Sequence, residues 1–348
     1  MTLARHLGIA VLAALVIVVA SIKLGSYREY QMAQVAAYMI AVAGLTVLIG
    51  LSGQISIGHG AFMAIGAYAT ALILLHLHWP LELVFVASVV ITAAAGAVVG
   101  VAAARLRGPY LAGATLMLAV ALPSLADKYS SAFGGDQGLG VNITTPAFLG
   151  ATFPPTRWLT WLTSAATLIA LVLLANLTRS RVGRSWRAIR DDEAAAALSG
   201  LNVARMQVLA FVVSAACAGL GGALLAVVTG IVSPGAYTLT LSIGLLTAAV
   251  IGGLGSLAGA LWGSLLFVLV PTYLTNVASS HGLSSAASSS IPIAAYGVVL
   301  IVVMLVFPAG IQGGVRRLLG PTAPTVAAPF SALRRHRPAT DHQEEGTR

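Results

Sequence analysis

Long apolar runs separated by short polar breaks recur along the whole chain. Ten of them are candidates to cross the ~30 Å of bilayer hydrocarbon as helices. They are 7–24, 32–50, 59–77, 81–103, 109–126, 158–177, 207–230, 239–252, 257–277 and 291–307. The run 239–252 is short, which predicts a tilted or discontinuous helix. A transmembrane β-barrel would show brief alternating segments instead. The pattern therefore predicts an all-α polytopic membrane protein with about ten transmembrane helices.

Two breaks are unlike the others. From Gly50 to Gly60 the chain reads GLSGQISIGHG, rich in glycine and polar residues at membrane depth. Non-helical backbone there has to be buried in protein or line a cavity. Ser52, Gln54, Ser56 and His59 are thus candidate pathway residues, unless they only bond between packed helices. The second break is Ser233-Pro234-Gly235, with Tyr237 and Ser242 following; Ser233, Tyr237 and Ser242 are its pathway candidates, and an outer turn is its simpler reading. Five spans precede a long outer loop at 127–157 and five follow it in opposite orientation. That arrangement suggests a 5+5 inverted repeat with broken helices at matching points, although the two halves share little residue-level similarity.

Composition agrees with the runs. Hydrophobic residues make up 58% and charged residues 8%, against about 25% charged in a soluble domain. The 37 glycines suit close helix packing in lipid. The net charge of +9 is a matter of topology, not of nucleic-acid binding. With both ends in the cytoplasm, 15 of the 19 basic residues lie on the inner side, leaving Lys23, Arg28, Lys128 and Arg157 outside. The start, MTLARHLG before an apolar run and Val18-Val19-Ala20, has features of a cleaved signal, but the run continues to Ile22 and a retained first helix is expected. The membrane domain is drawn at 1–312, and a basic tail at 313–348, rich in Pro, Ala, Thr and Arg, is expected to be disordered and cytoplasmic. Cys217, the only cysteine, allows no intrachain disulfide and reads as a small core residue. His59 has no second ligand at metal spacing.

The longest charged segment lies in the inner loop 179–206. It carries Arg181, Arg184, Arg187 and Arg190, then Asp191, Asp192 and Glu193, then an alanine run ending at Gly200. Trp186, Ile189, Ala194, Ala197, Leu198 and Leu201 recur at helical spacing, which predicts one short amphipathic helix suited to a membrane surface or a partner's groove. Gly200 is placed to end it. The chain has only two lysines, Lys23 and Lys128, and neither sits in a phosphate-binding G-x-x-x-x-G-K-[ST] loop. ATP hydrolysis by that route is excluded for this chain. Gly50-Leu51-Ser52-Gly53 is also a G-x-S-G tetrapeptide of the kind found in intramembrane serine proteases. That chemistry needs a histidine beside the serine, and His59 is the nearest one.

SRVGRSWRAIRDDEAAAALSGLNVARMQVLAFVVSAACAGLGGALLA closely resembles the cytoplasmic loop and following helix of the branched-chain amino acid ABC permeases, in particular their LivM-type subunit. Further similar segments are Gly50 to Ile73, Arg107 to Ala119, Phe133 to Leu139 (FGGDQGL) and Thr240 to Gly263, so the resemblance covers about 50 to 263. It implies the permease subunit of a bacterial ABC importer, a multi-pass protein of the inner membrane. It also implies separate ATPase subunits that bind the ATP, a second homologous permease and an extracytoplasmic substrate-binding protein. The substrates implied are branched-chain or other hydrophobic amino acids; related permeases carry urea or short amides. The family's coupling helix maps onto Asp191, Asp192, Glu193, Ala194, Ala195 and Gly200. Asp136 and Gln137 would meet the binding protein, or else belong to a solvated loop. One departure is Leu118 to Leu122, fully apolar where relatives often carry an acidic residue. Rival classes are a stand-alone channel, which needs no coupling loop, and the serine protease.

Overall fold

The computed structural model describes residues 2–106, 109–143, 145–146, 150, 153–280, 294, 297–298, 301–303, 305–307 and 310–319. The chain runs through α1 (Thr2–Lys23), α2 (Ser26–Ser52), α3 (His59–His76), α4 (Leu81–Ala103) and α5 (Pro109–Lys128). A short α6 (Ser130–Phe133), a 3-10 turn (Gly135–Gln137) and strand β1 (Leu139–Gly140) follow. Then come α7 (Pro155–Arg179), α8 (Arg181–Asp191), α9 (Glu193–Leu198), α10 (Val203–Thr229), β2 (Ile231–Val232), a 3-10 turn (Pro234–Tyr237), α11 (Leu239–Gly252), α12 (Leu257–Ser280) and α13 (Gly310–Leu319). Nine helices among the described residues are long and apolar enough to cross a membrane. They coincide with the first nine apolar runs; the tenth, 291–307, falls largely outside the described residues.

Local chemistry explains many of the boundaries. Proline opens α7 at Pro155, where its missing N–H costs nothing. Pro123 and Pro271 lie inside α5 and α12, which membrane helices tolerate. The tail boundary drawn at 313 falls within α13, because Gln312 accepts a bond from Trp262 Nε1 at 3.0 Å and holds that helix on α12. Residues 320–348 lie outside the described residues.

Helix α10 is the central post, packed by α2, α3 and α4. Contact is backbone to backbone. A Cβ on Gly222 would collide with the Met63 carbonyl oxygen, and one on Gly66 with the Gly219 carbonyl. In lipid such close packing, not the hydrophobic effect, drives helix association. Gly222→Ala is therefore expected to abolish recovery of monodisperse protein on size-exclusion chromatography. Gly235→Ala, where a Cβ meets nothing within 4 Å, should elute as wild type.

Polar side chains tie the remaining helices down. Ser214 Oγ donates to the Gly44 carbonyl at 2.9 Å, joining α10 to α2, and Thr167 Oγ1 donates to the Ala36 carbonyl at 2.9 Å, joining α7 to α2. Helix α1 rests on α7 through Trp161 Nε1 to Ser21 Oγ at 2.9 Å and a His6–Asn176 bond at 3.0 Å. Each such interhelical bond contributes roughly 0.6 kcal/mol on average. The strongest polar link is Glu29, 1% exposed at the start of α2. Its carboxylate accepts from Arg157 Nε at 2.9 Å and Thr156 Oγ1 at 2.8 Å, and its backbone carbonyl accepts from Thr160 at 2.8 Å.

Helices α2 and α10 have the same design. Each has 27 residues, each stops at a glycine in the left-handed region (Gly53, φ 75°; Gly230, φ 71°), and each is followed by an irregular stretch and a shorter helix. Only glycine takes that backbone freely, so these two residues decide where the long helices end. The two breaks sit at opposite ends of the molecule. Gly53 packs beside Arg190 of the charged segment, whereas Gly230 leads into β2, which pairs antiparallel with β1 (Leu139 opposite Val232, Gly140 opposite Ile231). This small sheet carries no hydrophobic-run signal and is absent from the sequence reading.

Candidate functional site: a re-entrant break beneath an exposed charged segment

After Gly53 the chain turns back into the protein as an irregular stretch. Gln54, Ser56 and Gly58 point inward and are buried, while Gly53 and Ile55 (49% exposed) face out. Backbone groups freed by the missing helix find partners from other elements. Ile57 N–H donates to Thr115 Oγ1 of α5 at 3.0 Å, and Gly60 N–H, in the first turn of α3, donates to Ser242 Oγ of α11 at 3.0 Å. From Ser242 to the end of α11 at Gly252 is ten residues, about 15 Å of helix. That end adjoins Gly253 to Gly255, and Gly255 packs against Gly50 at the end of α2. Helix α3 therefore begins about half a hydrocarbon thickness in from the charged end. A helix N-terminus at this depth presents its positive dipole end to the membrane interior.

Polar groups here are buried, and not all are hydrogen-bonded. The Gln54 Oε1 lacks a partner, while Gln54 Nε2 donates to Ser52 Oγ at 2.9 Å, and the His59 ring is fully buried with the Ala41 backbone beside it. The His59 ring lies edge-on to Phe62, centroids 6.2 Å apart. An unmet buried polar group costs roughly 1–3 kcal/mol, so this is a place where a polar guest gains more than it would elsewhere. The pairing that serine-protease chemistry needs is not formed: Ser52 is engaged by Gln54, and His59 has no bond to it.

The pathway candidates fall into two groups. Ser52, Gln54, Ser56, His59 and Ser242 gather around the start of α3. Ser233 and Tyr237 lie toward the small sheet: Ser233 is beside Gly138, and Tyr237 is tilted against Tyr68 at 6.5 Å. Tyr68, which the sequence did not single out, packs edge-on to Phe133 at 5.2 Å, and its buried hydroxyl has no hydrogen-bond partner. It lies nine residues, about two and a half turns, beyond His59 on α3, but only the fold brings Tyr237 to it. Asp136 and Gln137 are exposed on the 3-10 turn that leads into β1.

At the opposite end the charged segment forms two helices, not the single amphipathic one expected. Asp192 is extended (φ −156°, ψ 110°) and its carboxylate accepts the Ala195 N–H at 3.0 Å, a helix-starting cap that interrupts the run. Helix α8 is anchored: Trp186 is fully buried and donates from Nε1 to the Met206 carbonyl at 2.8 Å, with Ile189 buried beside it. Helix α9 is not. Ala196 alone faces the body, whereas Ala194, Ala195, Ala197 and Leu198 are exposed, Leu198 to 90%. Asp191 and Asp192 are exposed, Glu193 half-buried, and Gly200 ends the segment with a left-handed turn.

Arg190 links the two regions. Its Nη1 donates to the Gly50 carbonyl at the end of α2, while Nε and Nη2 hold Asp191 at 3.1 and 2.9 Å. The Gly53 N–H closes on the Ile49 carbonyl and the Gln54 N–H on Leu48, which leaves Gly50 as a carbonyl for the guanidinium to take. The stem of Arg190 also covers Gly53: a Cβ there would lie 2.9 Å from its Cγ. The Gly252–Gly263 stretch is used internally, with Gly252 against Gly259 and Gly263 against Ala248.

The described residues form a multi-pass helical protein with interrupted helices and an exposed charged segment, and its class, a membrane permease, follows from the family it matches. Residues 27–308 match the family described as branched-chain amino acid transport system / permease component, and the chain belongs to this family. It is 33% identical over 254 residues to the high-affinity branched-chain amino acid transport system permease protein LivM of Escherichia coli, covering 67% of this chain and 60% of LivM. LivM of Salmonella typhimurium matches at 32% over 255 residues with the same coverage. BraD, the corresponding permease protein of Pseudomonas aeruginosa, is 30% identical over 292 residues, 79% of this chain and 91% of BraD. The matched part thus spans under two thirds of the length of the LivM proteins. No solved structure matches the chain.

Proposed function

We propose that this protein is a permease subunit of a bacterial ABC importer for branched-chain or other hydrophobic amino acids. It would lie in the inner membrane with both termini cytoplasmic and pair with a second, homologous permease. An extracytoplasmic binding protein would deliver substrate near Asp136 and Gln137. Separate ATPase subunits would bind ATP and receive α9 in a cleft. The observation that carries this reading is the exposed apolar face of α9, held away from the body between the Asp192 cap and Gly200 and joined to the break by Arg190. The two 27-residue helices with their opposed breaks support an inverted repeat in which α1–α5 correspond to α7, α10, α11, α12 and the tenth apolar run.

The site's chemistry suits a zwitterion with an apolar side chain. Its carboxylate would meet the N-terminal end of α3, its ammonium the Gln54 Oε1, and its side chain apolar walls, with no countercharge required from the protein. A small neutral amide would use the amide and hydroxyl groups but leave the apolar walls unfilled.

The test is purification of the tagged chain from its native membrane in mild detergent, followed by reconstitution with whatever accompanies it and uptake of labelled leucine and labelled urea. Recovery of an ATPase, a second permease and ATP-dependent leucine uptake is expected. Recovery of this chain alone, conducting without ATP, would replace the importer with a channel. Within that assembly, Leu198→Glu should weaken ATPase retention by at least about tenfold, because it places a charge where an apolar contact is required. Pull-down of the ATPase measures it.

A further inference from the structure

Helices α4 and α10 touch closely at Gly96 and Gly100, where added Cβ atoms would press on Ala215 and Phe211. The contact continues to Val208, where a Cβ on Gly100 would lie 3.2 Å from its Cα, and beyond it both helices end. Helix α4 stops at Ala103, the chain turns through Arg105, and α10 has only just begun at Val203. Between them lies an open groove of about 540 Å³ whose walls include Val101, Ala104, Val208 and Val212, with Arg105 and Arg205 at the helix-end side. From Arg205 to Val212 is seven residues, about 10 Å of helix rise, so the groove is cationic at one end and hydrocarbon along its depth. Both arginines are exposed, and neither guanidinium has an ion pair or hydrogen bond among the described residues.

A positive-inside bias explains why arginines occur at this end, but not why two unpaired ones flank an apolar groove along two helix ends. Water fills such a groove poorly, and a soluble anion would satisfy only its rim. We propose that the groove is a binding site for an anionic phospholipid. Its phosphate would be held by Arg105 and Arg205, whose planar donor forks match phosphate oxygens, and one acyl chain would lie along Val101, Val208 and Val212. The inference is independent of what the protein transports.

The experiment uses the full chain in nanodiscs of dioleoyl phosphatidylcholine containing a small fraction of dioleoyl phosphatidylglycerol, with native mass spectrometry of the lipids retained after release. Wild type is expected to retain phosphatidylglycerol in preference to phosphatidylcholine. Arg105→Gln with Arg205→Gln should reduce that preference about thirtyfold. Val208→Trp, which fills the groove and leaves both charges, should also lose it, and it remains informative if the double variant is poorly folded. Arg181→Gln with Arg184→Gln on α8 is the control for general surface charge and should leave the preference intact. An unchanged preference in both groove variants overturns the site. So does an equal loss in the control pair, or displacement of the lipid by millimolar glycerol phosphate, which would mean a charged surface with no role for the acyl chain.

Discussion

Replacing Arg190 by alanine is expected to yield a complex that still hydrolyses ATP but imports about tenfold less substrate per ATP. The guanidinium sits between two regions with separate tasks. On one side it grips Asp191, next to α9, the helix proposed to meet the ATPase; on the other it bonds the Gly50 carbonyl and covers Gly53, where α2 ends and the re-entrant stretch begins. A push on α9 can reach the pathway through α8 and this side chain without any larger movement of the bundle. Alanine removes the contact and leaves a helix-end carbonyl without its cation, a loss of roughly 1.5–3 kcal/mol for a bond to a charged group. Arg190→Lys should be intermediate, since an ammonium can hold the carbonyl or the carboxylate but not fork between both. Trp186 and Ile189 keep α8 seated in either variant, so the ATPase should still assemble. Parallel uptake and ATPase measurements in proteoliposomes decide the matter. Wild-type stoichiometry in Arg190→Ala would show that coupling runs elsewhere, whereas absence of ATP-driven uptake in the wild type itself would reject the importer reading instead.

Glu29→Ala is expected to cost about 3 kcal/mol of stability. The carboxylate is buried at the start of α2 and holds Arg157 and Thr156 of α7. Alanine leaves the Arg157 guanidinium without its counter-ion in a largely dehydrated position. The estimate is at the low end for a broken buried pair because Arg157 is 24% exposed and recovers some hydration. Glu29→Gln should lose less, since the amide oxygen can still accept from Thr156. The measure is thermal unfolding in a mild detergent, with the double variant Glu29→Ala, Arg157→Ala closing the cycle. A double variant as unstable as the sum of the singles would mean that the two residues do not act as a pair.

Legibility differed with the range of the interaction. The nine described spans, the break that follows Gly50, and the ends at Gly200 and Gly230 all follow from residues next to one another in the chain. Long apolar runs, glycine at a left-handed stop and an alanine run after acidic residues each carry their own signal. The hinge at Asp192 was also present as a capping residue, but helical spacing on both sides of it suggested one continuous helix. The capping bond outweighed that periodicity because the face so generated would have had to bury Trp186 and expose Leu198.

Other features had no local signal. Nothing in the sequence singles out Glu29 or pairs it with Arg157, an outer basic residue by charge distribution, and only the seating of α7 on α2 makes them a buried pair. Ser242 entered as a possible partner of the second break, yet it caps Gly60 at the first. Tyr68 meets Tyr237 because the antiparallel course of α3 and α11 puts them at one level. Sequence alone determined which segments are apolar and long enough to enter the membrane, roughly where the long helices stop and which charged segment is left exposed, since these depend on hydration and backbone freedom at single positions. Tertiary structure alone decided which polar groups meet inside, because in lipid a buried donor takes whichever acceptor the packing of glycine-lined helices brings within reach.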